Sequence, residues 1–102
     1  APWIIVLFRQ SKRERENGEF GPTYYAQESC GIAAGLFIAA IHNMGLTTLT
    51  HTPSPMGFLR EILGRHDHEH AMLVMPVGYP AEGASVPDLG RKTLDEVSEF
   101  FD

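Results

Sequence analysis

The sequence has little of several features that would define its class. It contains a single cysteine, Cys30, so no disulfide can form within the chain. Acidic residues outnumber basic ones by 13 to 8, and the formal net charge of -5 argues against a general affinity for nucleic acid or anionic lipid. The longest run of apolar and small residues, Gly31 to Ile41, is about eleven residues long, too short to span a bilayer. We therefore expect neither a nucleic-acid-binding protein nor a membrane protein.

Familiar catalytic motifs are also missing. There is no glycine-rich phosphate loop, no Ser-His-Asp or Cys-His arrangement and no internal repeat. Cys30 lies in an apolar stretch, where a buried, inert thiol is the expected state. No signal or transit segment is visible, which predicts a reducing, cytoplasmic setting.

The most extended feature of the sequence is a helical pattern over Tyr24 to Met44. About six turns of helix would span roughly 30 Å. The run from Gly31 to Ile41 leaves no polar stripe, so the helix is expected to be buried on most sides. Gly31, Gly35 and Ala39 recur every four residues and would allow another backbone to approach closely. Both tight packing within one monomer and packing against a second subunit satisfy this pattern.

Around this helix the chain alternates strands and helices. Trp3 to Phe8 is an apolar, β-branched run that predicts a central strand covered on both faces. Leu46 to Thr52 predicts a second strand that ends before proline, and Met56 to Leu63 a short helix. Ala71 to Val77 predicts a third strand, in which Pro76 indicates an edge or a strand end. The pattern is that of helices packed on a sheet.

The connections carry their own signals. Ser11 to Gly21 is highly charged and predicts a mobile surface loop. Thr23 is suited to be the N-cap of the long helix, and Gly45 to be its left-handed C-cap. Gly78 to Gly90 predicts irregular extended chain. Thr93 with Glu96 fits a capping box, which favours a terminal helix on local grounds.

Three clusters could carry chemistry. The run His66 to His70 contains three imidazoles, which could ligate zinc or nickel if extended, although a solvated loop between a helix end and a strand is the simpler interpretation. The threonine-rich segment up to Thr52 ends at a predicted strand terminus, where ligands often bind, but threonine also favours strands for its own sake. Arg91 and Lys92 are two cations that could meet a phosphate or lie exposed.

Four separated blocks of sequence resemble the nitroreductase family, most closely its iodotyrosine deiodinase-like branch. They are APWIIVLF, YYAQESCGIAAGLFIAAIHNMGLTTLTHTPSP, FLREILGR and MPVGYPAEGASVPDLGRK. Their order and spacing match from Ala1 to about Val97. The resemblance implies an α+β, nitroreductase-like fold, with a sheet flanked by helices and a long buried central helix. It also implies that residues 1–102 form the C-terminal part of a single domain of this type.

The family's function follows as an implication of the resemblance. Its members are homodimers that bind FMN at the subunit interface and use NAD(P)H to reduce a small aromatic acceptor, such as a nitroaromatic, a quinone or a halogenated phenol. The central helix would belong to the dimer interface. The C-terminal arm, Lys92 to Phe101, would extend to pair with the partner's sheet, against the local signal for a helix.

The site residues are also implied by the resemblance. Thr50, His51 and Thr52 match the segment that lines the isoalloxazine, with the Thr52 hydroxyl near flavin N5. His51 departs from the threonine of the relatives, so its contact is the weakest inference. Arg91 follows the VPDL phrase and matches the residue that binds the FMN phosphate, with Lys92 assisting electrostatically.

The family's upstream phosphate-binding segment and substrate lid have no counterpart in these residues. A single Arg91 holds a dianionic phosphate less well than a cluster would, so we expect weak or no FMN retention by the chain alone. Two other functions remain open on the sequence. One is a non-catalytic dimerisation module without flavin, and the other is a metal-binding protein that uses the His66 to His70 run.

Overall fold

The structure is a computed structural model that describes residues 1–102. It contains five strands and three helices. In chain order these are β1 (Trp3–Gln10), β2 (Lys12–Glu14), β3 (Phe20–Pro22), α1 (Ala26–Asn43), β4 (Thr47–Thr48), α2 (Phe58–Ile62), β5 (Glu69–Gly78) and α3 (Leu94–Val97). The mixture of helices and sheet confirms the predicted α+β class.

The main sheet has three antiparallel strands in the order β1-β5-β4. The central strand is therefore β5, and the prediction that Trp3 to Phe8 forms the central strand is wrong for this chain. β1 pairs with β5 along its whole length, from Trp3 opposite Val77 to Gln10 opposite Glu69. Its other edge has no partner here, and Trp3 is 68% exposed. An apolar run predicts that a strand is buried, but it does not show which element covers the strand.

Pro76 lies inside the central strand, so its prediction as an edge or strand end is also wrong. Val74 exchanges both backbone hydrogen bonds with His51 on the β4 side, at 2.8 and 2.9 Å. Backbone groups of alternate residues point to the same side of a strand, so the nitrogen of Pro76 also faces β4. The ladder is interrupted there, between the His51–Val74 bridge and the Thr48–Val77 pair. Proline is tolerated because no hydrogen bond is required of it at this position.

α1 confirms the predicted long helix and loses only its outer residues. Its C-terminus closes as predicted at Gly45, whose φ is 81°. The Leu46 amide donates to the Ile41 carbonyl and the Gly45 amide to the His42 carbonyl, both at 3.0 Å. This is the double hydrogen bond of a Schellman motif, in which the residue with positive φ is usually glycine.

The predicted N-cap is wrong. α1 begins after Tyr25, which has a φ of 58° and offers no side-chain cap. The Thr23 hydroxyl instead donates to the Gln10 carbonyl at 2.6 Å, and its amide donates to the Ser11 carbonyl at 3.2 Å. Thr23 thus ties the start of the helix to the end of β1, a long-range contact that outweighs its local capping preference.

The charged segment after β1 is a hairpin and not an irregular loop, which corrects that prediction. β2 and β3 pair antiparallel, with Lys12 opposite Pro22 and Glu14 opposite Phe20. The turn is closed by the Arg15 amide, which donates to the Glu19 carbonyl at 2.8 Å, and by Gly18 with a φ of 82°. β2 is exposed on both faces, so both faces can carry charge. The alternation of apolar and polar residues that predicts a strand is therefore absent.

The remaining predictions are met in part. The strand expected over Leu46 to Thr52 is limited to β4 and the isolated bridge at His51. α2 lies within the predicted short helix and is followed by Gly64, with a φ of 63°. No regular structure forms between Gly78 and Thr93, as predicted.

The C-terminal segment combines the two expectations for it. The Thr93 hydroxyl caps the single turn of α3 by accepting from the Glu96 amide at 3.4 Å. Ser98 is already extended, and no regular structure follows it. The N-cap half of the predicted capping box is confirmed; the Glu96 carboxylate accepts from the Thr93 hydroxyl at 3.3 Å and not from its amide. Pairing of this arm with a partner's sheet stays a prediction.

The core is small and leaves much apolar surface uncovered. Only 6 of 102 residues are buried, and the apolar ones are Ala34, Ile41, Met75 and Val77. The radius of gyration is 17.8 Å, against about 13 Å for a compact domain of about 100 residues. The expectation that α1 is buried on most sides is not met within the chain, because Ile32 is 68% and Leu36 69% exposed. Apolar patches of this kind mark interaction surfaces.

No helix in the structure combines the length and hydrophobicity needed to cross a membrane.

Candidate functional site

The predicted threonine segment lies beside the central strand. His51 is held there through its backbone, which forms a bridge with Val74. Thr50 and Thr52 flank this bridge with exposed side chains, and neither hydroxyl has a hydrogen-bond partner within the chain. Pro53 follows and cannot donate to a ladder, so the pairing ends here. The result is a short, backbone-anchored segment that presents free hydroxyl groups and one imidazole.

Thr47 and Thr48, the first members of the threonine cluster predicted from the sequence, lie on β4. The Thr47 hydroxyl donates to the Gly78 carbonyl at 3.0 Å and so secures the edge of the sheet. The Thr48 hydroxyl is buried and has no partner in the chain. A buried, unpaired polar group costs roughly 1–3 kcal/mol.

Arg91 lies in the irregular segment between β5 and α3. Its side chain is exposed, as is that of Lys92, and neither forms a salt bridge. No hydrogen bond or ion pair links Arg91 to the threonine segment within this chain. The two predicted parts of the site are therefore available but are not brought together by contacts of the chain itself.

The His66 to His70 run does not form the predicted one-sided row of imidazoles. His66 and His68 stack with ring centroids 5.5 Å apart and an interplanar angle of 4°. His70 is directed elsewhere, with Nε2 3.2 Å from the Ser11 hydroxyl. A turn precedes β5 and the Glu69 amide donates to the His66 carbonyl, so the segment is not extended throughout. No group of three or more metal-ligating side chains is assembled anywhere in the chain.

A buried carboxylate lies in the same run. Glu69 is 5% exposed and accepts hydrogen bonds from Nε and Nη2 of Arg65, at 2.9 and 3.0 Å. The hydrogen bonds from Arg65 lower the pKa of Glu69, while burial opposes this shift. The same pairing raises the pKa of Arg65. The i,i+4 spacing of the two charges was the available signal for this pair.

The environment of His70 disfavours its charged form. Burial lowers the pKa of His70, and the positive charges of Arg9 and Arg60 and the neighbouring His68 lower it further. Arg60 is held in place by donating from Nη1 to the Asp67 carbonyl at 2.9 Å. Near neutral pH this arrangement favours an uncharged imidazole.

Cys30 has no reactive environment. Its thiol is half-buried, with Sγ 3.9 Å from the Phe8 carbonyl oxygen. This contact belongs to the packing of α1 on β1. The thiol is less completely buried than expected.

No protein-family model matches the chain. Individual proteins do. The chain is 56% identical over 92 residues to an iodotyrosine deiodinase of Haliscomenobacter hydrossis, a match that covers 90% of the chain and 41% of that protein. It is 47% identical over 98 residues to iodotyrosine deiodinase 1 of Rattus norvegicus, covering 95% of the chain and 34% of the relative. The chain thus spans less than half the length of these relatives.

The fold has a solved counterpart. A crystal structure of oxidized iodotyrosine deiodinase bound to FMN and 3-iodo-L-tyrosine superimposes with a TM-score of 0.74. The sequence identity is 21%, and the match covers 92% of this chain and 45% of that one. At that identity the superposition shows the fold alone. Together with the sequence relatives, it confirms the resemblance of this chain to the iodotyrosine deiodinase-like branch of the nitroreductase family.

Proposed function

We propose that this chain forms part of an FMN-dependent oxidoreductase. The observation that carries the proposal is the 56% identity with a bacterial iodotyrosine deiodinase over nearly the whole chain. A fold shared with an FMN-bound deiodinase is consistent with it. Because the relatives are more than twice as long, the activity belongs to a larger assembly than these residues alone.

The free side chains fit one part of a flavin site. Thr50 and Thr52 offer hydroxyl groups with no internal partner, beside a backbone held to the sheet by His51. Such groups could hydrogen-bond the edge of a flavin ring, and we assign Thr52 the tuning contact near N5. Arg91 is exposed and unpaired, as a guanidinium that binds a phosphate must be. Lys92 would add positive charge without a fixed geometry.

FMN, when bound, would supply the electron transfer from NAD(P)H to a small aromatic acceptor. The chain's own groups would bind and orient it. A hydrogen bond from Thr52 to the ring would tune the cofactor, and Arg91 would hold the phosphate end. Among nitroaromatics, quinones and halogenated phenols, we favour a halogenated phenol as the substrate, because the relatives carry the name iodotyrosine deiodinase.

We further propose that the protein is a homodimer through α1. Support comes from the outer face of the helix, where Ile32 and Leu36 are exposed on either side of small residues. Gly31 and Gly35 have open space around them, so a second backbone could approach closely. Exposure of such an apolar surface to water is unfavourable, and packing against another apolar surface removes this cost.

The chain alone should hold FMN weakly. Its phosphate site contains one guanidinium and one ammonium, both exposed. A flavin ring would also meet only one wall, since the segment around Thr52 is open to solvent. Tight one-to-one binding in a flavin titration of the isolated chain would contradict this part of the proposal.

The decisive experiment is a visible absorption spectrum of the purified protein, recorded beside its intact mass. A flavin spectrum that denaturation releases as free FMN would support the oxidoreductase. A protein larger than these residues that lacks flavin would count against it. A colourless protein with the mass of this chain would fit the predicted weak retention.

A second candidate is a dimerisation module without flavin. The exposed face of α1 favours it, because that surface needs a partner whether or not a cofactor is present. A stable dimer of the larger protein that neither binds FMN nor oxidises NAD(P)H would select this alternative.

A further inference from the structure

A cavity of about 260 Å³ lies where α2 packs against the start of β5. Two stretches of the chain line it, Met56, Gly57 and Arg60 from the region of α2 and Glu69, His70 and Ala71 from β5. Its volume is just below the roughly 300 Å³ at which pockets for drug-sized ligands begin. A ligand of this cavity must therefore be small.

Glu69 supplies a buried carboxylate to the cavity. It is 5% exposed, and each of its oxygens accepts one hydrogen bond from Arg65, at 2.9 and 3.0 Å. A carboxylate oxygen can accept two hydrogen bonds, so each oxygen has capacity for a second donor. The hydrogen bonds from Arg65 lower the pKa of Glu69, which keeps the group ionised near neutral pH. The cavity thus contains an anionic acceptor.

His70 supplies a second acceptor. The Ser11 hydroxyl donates its only hydrogen to the His68 carbonyl, so we assign the 3.2 Å contact with His70 as donation from Nε2–H to Ser11 Oγ. Burial lowers the pKa of His70, and the positive charges of Arg9 and Arg60 lower it further. In the neutral ring that results, Nδ1 carries a lone pair and has no hydrogen-bond partner in the chain.

Arg60 supplies the opposite charge. Its Nη1 donates to the Asp67 carbonyl at 2.9 Å, which holds the side chain at the cavity. Arg60 forms no salt bridge, and a guanidinium has five N–H donors, so most of its donors remain available. A carboxylate matches the planar guanidinium with two parallel hydrogen bonds. A dianionic phosphate would fit less well, because the Glu69 carboxylate lines the same small cavity.

We propose that this cavity binds a small amino acid as its zwitterion, with the ligand carboxylate on Arg60 and the ligand ammonium donating to Glu69 and His70. An ammonium has three donors and no acceptor, so it suits two acceptors that lie side by side in the sequence. A ligand with only one charge would satisfy one part of the cavity and lie against the like charge of the other. None of the residues predicted to contact FMN lines the cavity, so the proposal does not depend on flavin binding.

The test is an NMR titration of the full chain without flavin, at pH 7 and constant ionic strength. The ligands are L-alanine, which carries both charges, and propionate and L-alaninamide, which carry one each. Alanine should shift the backbone amides of Arg60, Glu69 and Ala71 in a saturable way and leave that of Ile32 on α1 unchanged. Propionate and alaninamide should bind about tenfold more weakly or worse, because each lacks one set of charge-assisted hydrogen bonds.

Two variants check the role of the guanidinium. R60Q should weaken alanine binding about tenfold or more. R13Q removes an exposed, unpaired arginine of β2 and should leave the affinity unchanged. The comparison of the three ligands in the unmodified chain does not depend on R60Q keeping its structure. Absence of a saturable shift with alanine, or equal affinity for alanine and propionate, would overturn the proposal. Unchanged affinity in R60Q, or an equal loss in R13Q, would overturn it as well.

Discussion

Arg65 and Glu69 form the only salt bridge of the chain, with Nε and Nη2 of the arginine on the two carboxylate oxygens. The carboxylate is buried while the guanidinium is half-exposed, at 7% and 45% side-chain exposure. Arg65 precedes the central strand, and Glu69 is the first residue of that strand. It fixes the start of β5, on which both the hairpin and the sheet depend.

Removing the arginine should destabilise the fold near neutral pH and have less effect in acid. The pKa of Glu69 is lowered in the folded chain, so its ion pair stabilises the fold above the ordinary glutamate range and loses this effect as the pH falls. R65L leaves a buried carboxylate without its partner, so the free energy of unfolding should fall at pH 7, and the difference from the unmodified chain should shrink as acid protonates Glu69. Urea unfolding followed by circular dichroism at several pH values measures this. R13L, which removes an exposed and unpaired arginine of β2, is the control and should leave the free energy of unfolding unchanged at each pH.

The C-terminus of α1 offers a clean test of backbone conformation. Gly45 has a φ of 81°, and a Cβ there would meet no atom within 4 Å. G45A should therefore lower the free energy of unfolding by about 1 kcal/mol, through backbone strain alone. Urea unfolding of the two proteins measures the difference.

The matched control for this change is G57A. Gly57 also has open space for a Cβ, but its φ is -60°. Alanine adopts this right-handed helical conformation without strain, so G57A should leave the free energy of unfolding unchanged or raise it slightly. An equal loss of stability in the two variants would contradict the conformational explanation.

The proposed dimer can be disrupted from the outer face of α1. L36E places a charge on a side chain that is 69% exposed in the chain, so the fold of the monomer should tolerate it. If this face packs on a second copy, the buried charge should shift the protein to monomer. Sedimentation velocity over a range of concentrations measures the shift. L89E, at a residue that is 64% exposed in the irregular segment, adds the same charge elsewhere and should leave the dimer intact.

The phosphate role of Arg91 is best tested in the complete protein. R91A should weaken FMN binding by about tenfold or more, because a charge-assisted hydrogen bond contributes roughly 1.5–3 kcal/mol. Fluorescence titration with FMN gives the two dissociation constants. R15A changes an exposed arginine in the hairpin turn and should bind FMN as the unmodified protein does. Unchanged affinity in R91A would remove this residue from the site.

Thr52 should act on the properties of bound flavin more than on its retention. T52A deletes the hydroxyl proposed to tune the ring, so the reduction potential of bound FMN should shift while the affinity falls little. T47A is the comparison, since the Thr47 hydroxyl is engaged with Gly78 at the sheet edge. A spectroelectrochemical titration distinguishes the two variants.

Local signals in the sequence determined the parts of the fold that depend on neighbouring residues. The long helix, its glycine stop at Gly45 and the N-cap at Thr93 form as predicted. Their hydrogen bonds close within a few residues, so composition and spacing contain the necessary information. The order of four sequence blocks also identified the fold class, because it carries information over the whole chain.

Tertiary structure decided everything that depends on which surfaces meet. Strand order placed β5 in the centre and β1 at the edge, and Pro76 is accommodated because the facing ladder is interrupted there. Thr23 does not cap the helix but bonds Gln10, 13 residues away. His70 does not join the other two imidazoles but contacts Ser11, 59 residues away. Apolar periodicity states that a face will be covered but not what covers it. The sequence by itself therefore determined the elements and the family resemblance, whereas long-range packing decided their neighbours and the exposed face of α1.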